Sequence, residues 1–568
     1  EISAVESLDS HLRIWGLPRP DIKEKLSTAY ERSAMFSEHT WGTCKNLEGR
    51  NAYGIKDFEQ YVKTDGTCQF LQKTWDDHAD YIRKTAQITG KLAKTEIEQL
   101  AASTDLEGKR IAVFNPLLWK RDAWIELPDG GNMLVKDLPP SGYKTISVPS
   151  VPSVPSEVSE TAILENKFLK VILDRARGGI VSIIDKKSGR ELVDKKAKYA
   201  FGQYVLERFG RKQCDDYQIA CNHLDSIYDS NGRACLGWNI RNDLPKDTQH
   251  AESAAAFSTM TVSRGANSQK ARLSAQPAGI IESQVVTTIT LPNDVPWLEI
   301  SVQLKDKKPN YAPEAGQLCF PVNADTPQFR IGRLGGVVNP ATNFVRGSNR
   351  TYGQVDTGAM IAGQDGNGVA ICPIDQGIMS FGEKRLPDID PDYVPATPMA
   401  RLSIFNNFWT TNFPYWIQGD VSTRVRIWPT IGLETASLVI PALEARNPAM
   451  VGFSDGPAGK LPAEQAGLSV SRPCIRLTAF RQTDDGTLLR LWEQTGVSGE
   501  VCVTLGAPNS NTASPLTFTS ALPVNLRGEK IGDPIPIRDG KFSFKLGAYA
   551  PASFILTPKL PASEPMPQ

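Results

Sequence analysis

From about residue 110 onward, the sequence consists of short segments of alternating apolar and polar residues, separated by Gly, Pro, Asn and Asp. Ile111-Ala112-Val113-Phe114 is the first of these segments, and the Asn115-Pro116 pair ends it. Alternation with a period of two predicts β-strands, while Gly and Pro mark the turns between them. With 45 Gly and 40 Pro in 568 residues, we predict no long helix in this region. The pattern favours antiparallel β-sandwiches over units in which strands and helices alternate.

The first hundred residues follow a helical pattern instead. Apolar residues recur at every fourth position between Pro20 and Phe36, and the Pro20-Asp21 pair is a helix start signal. A short helix is predicted for residues 56–63 and a long one for residues 68–102. Packed antiparallel, these helices would bury their apolar faces against one another. The predicted fold class is therefore α+β and mostly β, with a short N-terminal antiparallel helical bundle followed by large antiparallel β-sandwich domains.

Changes in composition along the chain predict several domains, because 568 residues are enough for about three to four separate cores. Residues 148–158 contain a Val-Pro-Ser triplet repeat, which favours an extended polyproline II linker. The predicted segments are a helical bundle (1–105), a small β-region (109–147), a Pro/Ser linker (148–158), a large β-sandwich (160–460) and a C-terminal β-sandwich (465–558).

Charge and composition exclude several classes of function. Lys+Arg and Asp+Glu both total 63, so the chain has no net positive charge that would attract nucleic acid. No apolar run approaches the roughly 18 residues that a membrane-spanning helix needs. Nine cysteines occur, none in a C-x-x-C pair, which argues against a zinc ribbon and does not identify the compartment. We therefore expect neither nucleic acid nor a membrane as a partner.

The stretch Ser37-Glu38-His39-Thr40-Trp41-Gly42 ends the first helical pattern and places an imidazole, a carboxylate and an indole side by side. A single histidine binds no metal tightly by itself. His39 is therefore either one ligand of a site completed by other residues or a hydrogen-bonded histidine at a helix end. Trp41 also has two interpretations, a packed core residue or a platform on which a sugar ring stacks.

Residues 406–416 read Asn-Asn-Phe-Trp-Thr-Thr-Asn-Phe-Pro-Tyr-Trp and form the richest cluster of aromatic and amide side chains in the chain. Sugars suit such surfaces, because their C–H faces stack on aromatic rings while their hydroxyls pair with amides. Asn407, Trp409 and Asn412 are the candidate substrate-binding residues of this cluster. The alternative is that these aromatic residues belong to the core of a large sandwich.

Three collinear blocks resemble a known family. They are Val113–Arg121, Glu165–Glu191 and Arg490–Gly496, and the predicted change from helices to β-sandwiches precedes the first of them. In this order they resemble the C-terminal two-thirds of glycoside hydrolase family 38, the α-mannosidases. The resemblance extends over roughly residues 20–558.

The resemblance implies a metal-dependent retaining glycoside hydrolase, in which one carboxylate is the nucleophile and a second carboxyl group acts as acid and then base. Family members hold a divalent metal, typically zinc, with a His-x-Asp pair and the nucleophilic Asp of an N-terminal α/β domain. A histidine of the helical region completes the metal site. Glu38-His39 matches a variant of the motif that carries this histidine, so the resemblance implies His39 as the metal ligand. The implied substrate is an α-mannoside-type glycan, although Thr40 replaces the aspartate that often follows the histidine.

The sequence contains two His-x-Asp pairs, but neither continues with the glycine and aromatic residue of the family motif. His78 and Asp80 lie in a predicted helix, where residues i and i+2 point about 200° apart and cannot bind one ion. His223 and Asp225 lie in the β-region, far from the family position. We therefore expect the nucleophile and the acid/base to come from an N-terminal catalytic portion absent from this sequence, and the chain alone to be inactive. The alternative is a non-catalytic carbohydrate-binding or scaffold protein built from the same β-sandwiches.

Overall fold

The structure is a computed structural model that describes residues 1–38, 55–127, 131–148, 156–158, 161–222, 244–310, 312–345, 347–409, 413–506 and 517–559. The helices in these ranges are α1 Ile2–Ile14, α2 Lys23–Phe36, α3 Ile55–Thr64, α4 Gly66–Ser103, α5 Arg211–Asn222 and α6 Thr435–Arg446. None of these helices is both long and apolar enough to cross a lipid bilayer.

Helices α2, α3 and α4 coincide with the three helices that the apolar periodicity predicted. Helix α1 precedes them, in a segment for which no helix bounds were predicted. Helices α5 and α6 interrupt the β-rich region, and each has 12 residues. Three turns of helix carry too few periodic positions to stand out from neighbouring strands, which explains why the sequence pattern did not reveal them.

The chain divides into two compact units that are not contiguous in sequence. The first unit comprises Glu1–Ser37, Asp80–Val151 and Val439–Gln568, and the second comprises Glu38–Ala79 and Pro152–Leu438. Both are dominated by antiparallel sheets, so the predicted α+β, mostly β fold class is confirmed. The five segment boundaries proposed from composition stay a prediction.

The described residues of the first unit form four sheets, whose strands are given below in spatial order. The four-stranded sheet is Met450–Ser454, Arg110–Phe114, Tyr143–Ser147 and Glu464–Gln465. A two-stranded sheet pairs Arg121–Glu126 with Asn132–Leu138. The three-stranded sheet is Ser469–Val470, Gly499–Thr504 and Lys541–Leu546. The five-stranded sheet is Ile475–Thr483, Gly486–Glu493, Pro551–Pro558, Phe518–Val524 and Ile535–Pro536.

In the part of the second unit that the structure describes, the strands form three sheets. The ten-stranded sheet is Gly336–Val338, Gln328–Arg333, Ala359–Ala362, Asn367–Pro373, Gly419–Ile431, Leu298–Lys307, Gln284–Pro292, Ser268–Ala275, Thr259–Arg264 and Ser156–Val158. The six-stranded sheet is Ala251–Ala254, Gln203–Arg208, Glu314–Pro321, Met399–Asn406, Ile378–Phe381 and Tyr352–Gln354. The four-stranded sheet is Thr161–Glu165, Leu169–Asp174, Gly179–Asp185 and Arg190–Glu191. Apolar faces of all three sheets pack into one core.

The two faces of the six-stranded sheet differ in character because successive side chains of a strand point to opposite faces. In the strand Gln203–Arg208, Tyr204 and Leu206 enter the large core. Val205 packs on the other face, and Glu207 follows it two residues later. The register places Glu207 directly opposite Glu252 of the neighbouring strand. Two carboxylates therefore meet on the face that does not enter the core.

Helix α4 contributes a second, smaller core to the second unit. Cys68, Leu71 and Trp75 lie on one stripe of the helix at spacings of three and four residues, and all are buried. They pack against Tyr415, whose ring centroid lies 5.3 Å from that of Trp75. This contact holds the end of the aromatic-amide segment against the helix.

Helix α1 carries a fully buried histidine, His11, in the first unit. Its Nδ1 lies 2.7 Å from the Ser7 carbonyl oxygen, and the Leu468 N–H donates to its Nε2 at 3.2 Å. A neutral imidazole with its hydrogen on Nδ1 satisfies both bonds, whereas a protonated ring would set an N–H against the Leu468 N–H. Burial lowers the pKa of His11 from its ordinary 6.5 to about 4.

We expect His11 to make the first unit less stable in acid. The unfolded chain takes up a proton near pH 6.5 and the folded chain only near pH 4, so stability falls as the pH drops through this window. The added slope approaches about 1.4 kcal/mol per pH unit. Urea unfolding of the wild type and of His11→Gln between pH 4 and pH 8 measures it. Equal slopes for the two proteins would show that His11 does not titrate in this way.

Candidate functional site

Asn407, one of the predicted sugar contacts, is buried, and its amide is bonded to the protein. Its Nδ2 donates to the carbonyl oxygens of Asn310, Ala312 and Tyr415, each at 3.0 Å. Its Oδ1 accepts the backbone N–H of Glu314 at 2.7 Å. These bonds tie residue 407 to the end of its own loop, so Asn407 fixes the position of Tyr415. A direct contact between Asn407 and sugar stays a prediction.

Trp409, a second predicted sugar contact, is half-buried in an aromatic cluster. Its Nε1–H donates to the hydroxyl of Tyr217 at 2.7 Å, and its ring centroid lies 6.4 Å from that of Tyr352. Burial raises the pKa of Tyr217 to about 12, so the phenol is neutral at physiological pH. Trp409 is therefore packed against other rings, as a core residue would be, and is also partly exposed, as a sugar contact would have to be.

The remaining predicted site residues lie outside the described part of the chain. They are the metal ligand His39 and the substrate contacts Trp41 and Asn412. Their roles stay predictions.

Next to Tyr415 lies a cleft of about 520 Å³, which we call the Trp416 groove. Helices α3 and α4 form one side, where Gln72, Trp75 and Asp76 line it, and residues 414–418 form the other. Trp416 is half-buried, and its ring stands edge-to-face on Trp75 with 6.5 Å between the centroids. The groove thus has an aromatic wall beside polar side chains.

Among the described side chains, the polar lining of the Trp416 groove carries no net charge. Lys63 and Asp76 supply one charge of each sign, and Gln72 and Gln418 supply amides. Gln72 Nε2 donates to Asp76 Oδ1 at 3.0 Å, which holds these two side chains together. An uncharged ligand with many hydroxyl groups matches this lining better than an ion does.

A second polar cluster lies on the outer face of the six-stranded sheet, where Glu207 is almost fully buried. Arg385 binds it through two nitrogens, with Nε 2.9 Å from Oε2 and Nη2 2.9 Å from Oε1. Gln317 donates to Oε2 at 2.7 Å, and His250 Nε2 lies 2.8 Å from Oε1. Burial acts to lower the pKa of Arg385, but the hydrogen bonds and charge of Glu207 outweigh it, so the net shift is upward.

Glu252 completes this cluster and is itself paired. Lys198 Nζ donates to Glu252 Oε1 at 2.6 Å, and the hydroxyl of Tyr199 donates to the same oxygen. Burial alone would raise the pKa of Glu252, but these hydrogen bonds lower it overall. The carboxylate is therefore ionised at neutral pH and compensated by a cation.

Among the described residues, Glu207, His250 and Glu252 form the one group of three whose ligand atoms lie close enough to hold a metal ion, all within 4.8 Å of one another. The environment does not fit zinc. Both oxygens of Glu207 already accept hydrogen bonds from Arg385, whose positive charge would repel a cation at the same carboxylate. We interpret the group as a partly exposed ion-pair network around the buried Glu207 carboxylate. The divalent metal expected from the sequence resemblance is not tested by it.

Sequence patterns did not single out this network or Trp75 as a groove residue. Glu207 is the fifth residue of a strand that reads Gln-Tyr-Val-Leu-Glu-Arg, and the available signal was a charged residue on one of the two alternating faces of an otherwise apolar strand. Trp416 belongs to the aromatic-amide cluster that the sequence did identify. Trp75 lies on the buried apolar stripe of its helix and also lines the groove.

Part of the chain matches a family model, and its fold is similar to that of solved structures. Residues 164–343 match the family model of the glycosyl hydrolases family 38 C-terminal domain. The fold is similar to that of an α-mannosidase from Enterococcus faecalis, with a TM-score of 0.59 and 12% identity over 98% of this chain and 68% of that chain. A second Enterococcus faecalis protein, of glycosyl hydrolase family 38, gives a TM-score of 0.56 and 10% identity over 98% of this chain and 71% of that chain. The sequence matches no curated protein.

The resemblance inferred from three sequence blocks is thus confirmed. Two of the blocks, Val113–Arg121 and Arg490–Gly496, lie outside the matched range, and the shared fold extends over them. Residues 164–343 match the C-terminal domain of glycosyl hydrolases family 38, and the fold is similar to that of an α-mannosidase over 98% of this chain.

Proposed function

We propose that this chain is the helical and β-sandwich part of a metal-dependent retaining glycoside hydrolase that acts on α-mannosides. The observation that supports the proposal most directly is the match of residues 164–343 to the family 38 C-terminal domain, together with a shared fold over 98% of the chain. The name of the first structural relative, an α-mannosidase, supplies the substrate class.

In this proposal the helical region contributes His39 as one ligand of a divalent metal, with zinc as the expected ion. The bound metal would hold sugar hydroxyl groups beside the reacting carbon. Trp41, Trp409 and Asn412 would contact the sugar, and Asn407 would hold the loop that carries the last two. The buried hydrogen bonds of the Asn407 amide support this positioning role.

The nucleophile and the acid/base would come from an N-terminal catalytic portion additional to these 568 residues. A retaining mechanism needs two carboxyl groups about 5–5.5 Å apart, one on each side of the glycosidic bond. The length of the structural relatives supports an additional portion, since this chain covers 68% and 71% of them. Carbohydrate is therefore the proposed substrate, and the catalytic portion is the proposed partner.

The test uses the natural full-length polypeptide that contains this chain. We expect bound zinc by elemental analysis and hydrolysis of a nitrophenyl α-mannoside, and His39→Ala should remove both. His250→Gln is the matched control, because His250 belongs to the ion-pair network that does not fit zinc, and it should leave the metal content unchanged. Unchanged zinc and unchanged activity in His39→Ala would exclude His39 from the site. Absence of zinc from the wild type would overturn the metal dependence.

A further inference from the structure

We propose that a polar cavity of the first unit binds a phosphate group that carries one hydrogen, as inorganic phosphate or as a phosphate monoester. The cavity has a volume of about 870 Å³, and we call it the Arg481 cavity. It lies among α1, α2 and two paired strands, Ile475–Thr483 and Gly486–Glu493, and all its lining residues belong to the first unit. Five cations and four carboxyl groups line it, so the side chains that the structure describes carry a net positive charge.

Two arginines of adjacent strands supply positive charge on one wall of the cavity. Ala479 lies directly opposite Arg490, so Arg481, two residues further along, projects from the same face of the sheet as Arg490. The pKa of Arg490 is lowered, first by burial and then by the charge of Arg481, so the two guanidinium groups repel each other. An anion bound beside both of them would offset this repulsion.

Among the described residues, no close ion pair cancels the charge of these two arginines. Arg481 Nε lies 3.5 Å from Glu6 Oε1, and its guanidinium donates no hydrogen bond within the described part of the chain. Arg490 donates to two neutral acceptors, Ser553 Oγ and the Leu526 carbonyl oxygen, each at 2.9 Å. The other cations of the cavity are paired with carboxylates at 2.8–3.1 Å: Arg13 and Arg19 with Asp9, and Lys23 with Asp484. A ligand anion would therefore bind at Arg481 and Arg490.

The buried carboxyl group of Glu6 explains why the ligand should carry a hydrogen. Glu6 is 1% exposed, its Oε2 accepts the hydroxyl of Tyr30, and its Oε1 has no hydrogen-bond partner among the described residues. An anion without a hydrogen would set its charge against Oε1, whereas a P–OH group would donate to it. Burial raises the pKa of Glu6 in spite of Tyr30 and the two arginines, which favours a hydrogen shared between the carboxyl group and the phosphate.

The amide of Gln482 provides a further donor for the phosphate oxygens. Its Oε1 accepts the hydroxyl of Thr487 at 3.1 Å, and its buried Nε2 has no hydrogen-bond partner in the described ranges. A carboxylate ligand has two oxygens and no hydrogen at neutral pH. Phosphate has enough oxygens for Gln482 and both arginines and still keeps one P–OH, and guanidinium groups match its geometry.

The experiment is a calorimetric titration of the natural full-length polypeptide that contains this chain, with sodium phosphate and with sodium sulfate at pH 7. We expect saturable phosphate binding, and sulfate binding weaker by about tenfold or more, because sulfate has no hydrogen to donate to Glu6. Arg481→Met should weaken phosphate binding by about tenfold or more. This side chain is 40% exposed, so its replacement leaves the core intact.

Glu6→Gln tests the selection of a hydrogen directly. Glutamine keeps an acceptor for Tyr30, but its amide N–H can donate to either anion, so phosphate and sulfate should bind this variant with similar affinity. Lys120→Met is the matched control, because it removes a 64% exposed cation of the same unit that does not line the cavity. Its phosphate affinity should equal that of the wild type, and circular dichroism verifies that each variant keeps the fold.

Glycerol 3-phosphate distinguishes the two sources of the phosphate group. It is titrated at pH 6, because a phosphate monoester has its second pKa at about 6 and then carries a P–OH in about half of the molecules. Binding that Arg481→Met weakens assigns the site to monoesters, whereas binding of inorganic phosphate alone assigns it to the free anion. Absence of saturable phosphate binding, or equal phosphate affinity in the wild type and Arg481→Met, would overturn the site. Equal wild-type affinity for phosphate and sulfate would overturn the requirement for a hydrogen.

Discussion

Replacing Arg385 with methionine is expected to lower the free energy of unfolding of the second unit by about 3–5 kcal/mol, because it leaves a buried carboxylate without its main partner. Glu207 is 2% exposed, and Arg385 binds both of its oxygens. Gln317 and His250 would remain, but neither carries the permanent charge of a guanidinium. Urea unfolding at pH 7, followed by circular dichroism and tryptophan fluorescence, measures the change.

A matched control exists in the same unit. Arg424 also binds a carboxylate through two nitrogens, at 2.8 and 3.1 Å from the oxygens of Asp375, but its side chain is 51% exposed. Exposed ion pairs contribute about 0–1 kcal/mol, so Arg424→Met should have little effect. The double variant Glu207→Met/Arg385→Met should recover much of the lost stability, since it removes the uncompensated charge. Equal losses in Arg385→Met and Arg424→Met would contradict the role of burial.

Arg110→Met is expected to destabilise the first unit by at least about 3 kcal/mol, because several buried carbonyl groups would lose their donor at about 1–3 kcal/mol each. Arg110 is 1% exposed at the start of the strand Arg110–Phe114. Its guanidinium donates at 2.7–3.0 Å to the carbonyl oxygens of Ala101, Ala102, Gly108, Gly456 and Pro457. The first two belong to the last turn of α4, where the helix dipole favours a cation.

At position 110, a lysine variant distinguishes the contribution of the positive charge from that of the five guanidinium hydrogen bonds. Arg110→Lys keeps the cation but has three donors on one atom, so it cannot reach five acceptors and should lose an intermediate amount of stability. Arg527→Met is the control, because that side chain is 83% exposed and its loss should leave the unfolding curve unchanged. A loss of less than about 1 kcal/mol in Arg110→Met would show that water replaces the guanidinium.

Local patterns in the sequence predicted the secondary structure well where they were long enough. The periodicity of residues 68–102 predicted α4, and the alternation after Ile111 predicted the strands that follow. Short helices such as α5 were not predicted, since 12 residues among β-strands give only a weak helical periodicity. The sequence patterns did not predict which segments belong to the same compact unit, because the first unit joins Glu1–Ser37 to Val439–Gln568. A local sequence pattern does not predict which distant strands pair in one sheet.

The Trp416 groove likewise shows what the sequence could predict and what required the tertiary structure. The aromatic-amide composition of residues 406–416 predicted either a sugar-binding surface or part of a sandwich core, and the sugar-binding interpretation stays a prediction. It did not distinguish Asn407, whose amide is buried in backbone hydrogen bonds, from Trp416, which lines a cleft. Both are good sugar-binding residue types, and only their burial separates the two roles.

The sequence by itself determined the fold class and the family resemblance: the change from helices to β-sandwiches and three short blocks indicated a likeness to glycoside hydrolase family 38, whose C-terminal domain model matches residues 164–343. The tertiary structure decided which side chains meet. Glu207 and Arg385 are 178 residues apart in the chain and form one ion pair, in which the carboxylate is buried and the guanidinium is partly exposed. Trp75 of a helix and Trp416 of a loop form one wall of a groove. The reason is physical: secondary structure follows from interactions within a few residues, whereas a site depends on strand pairing and core packing between segments hundreds of residues apart.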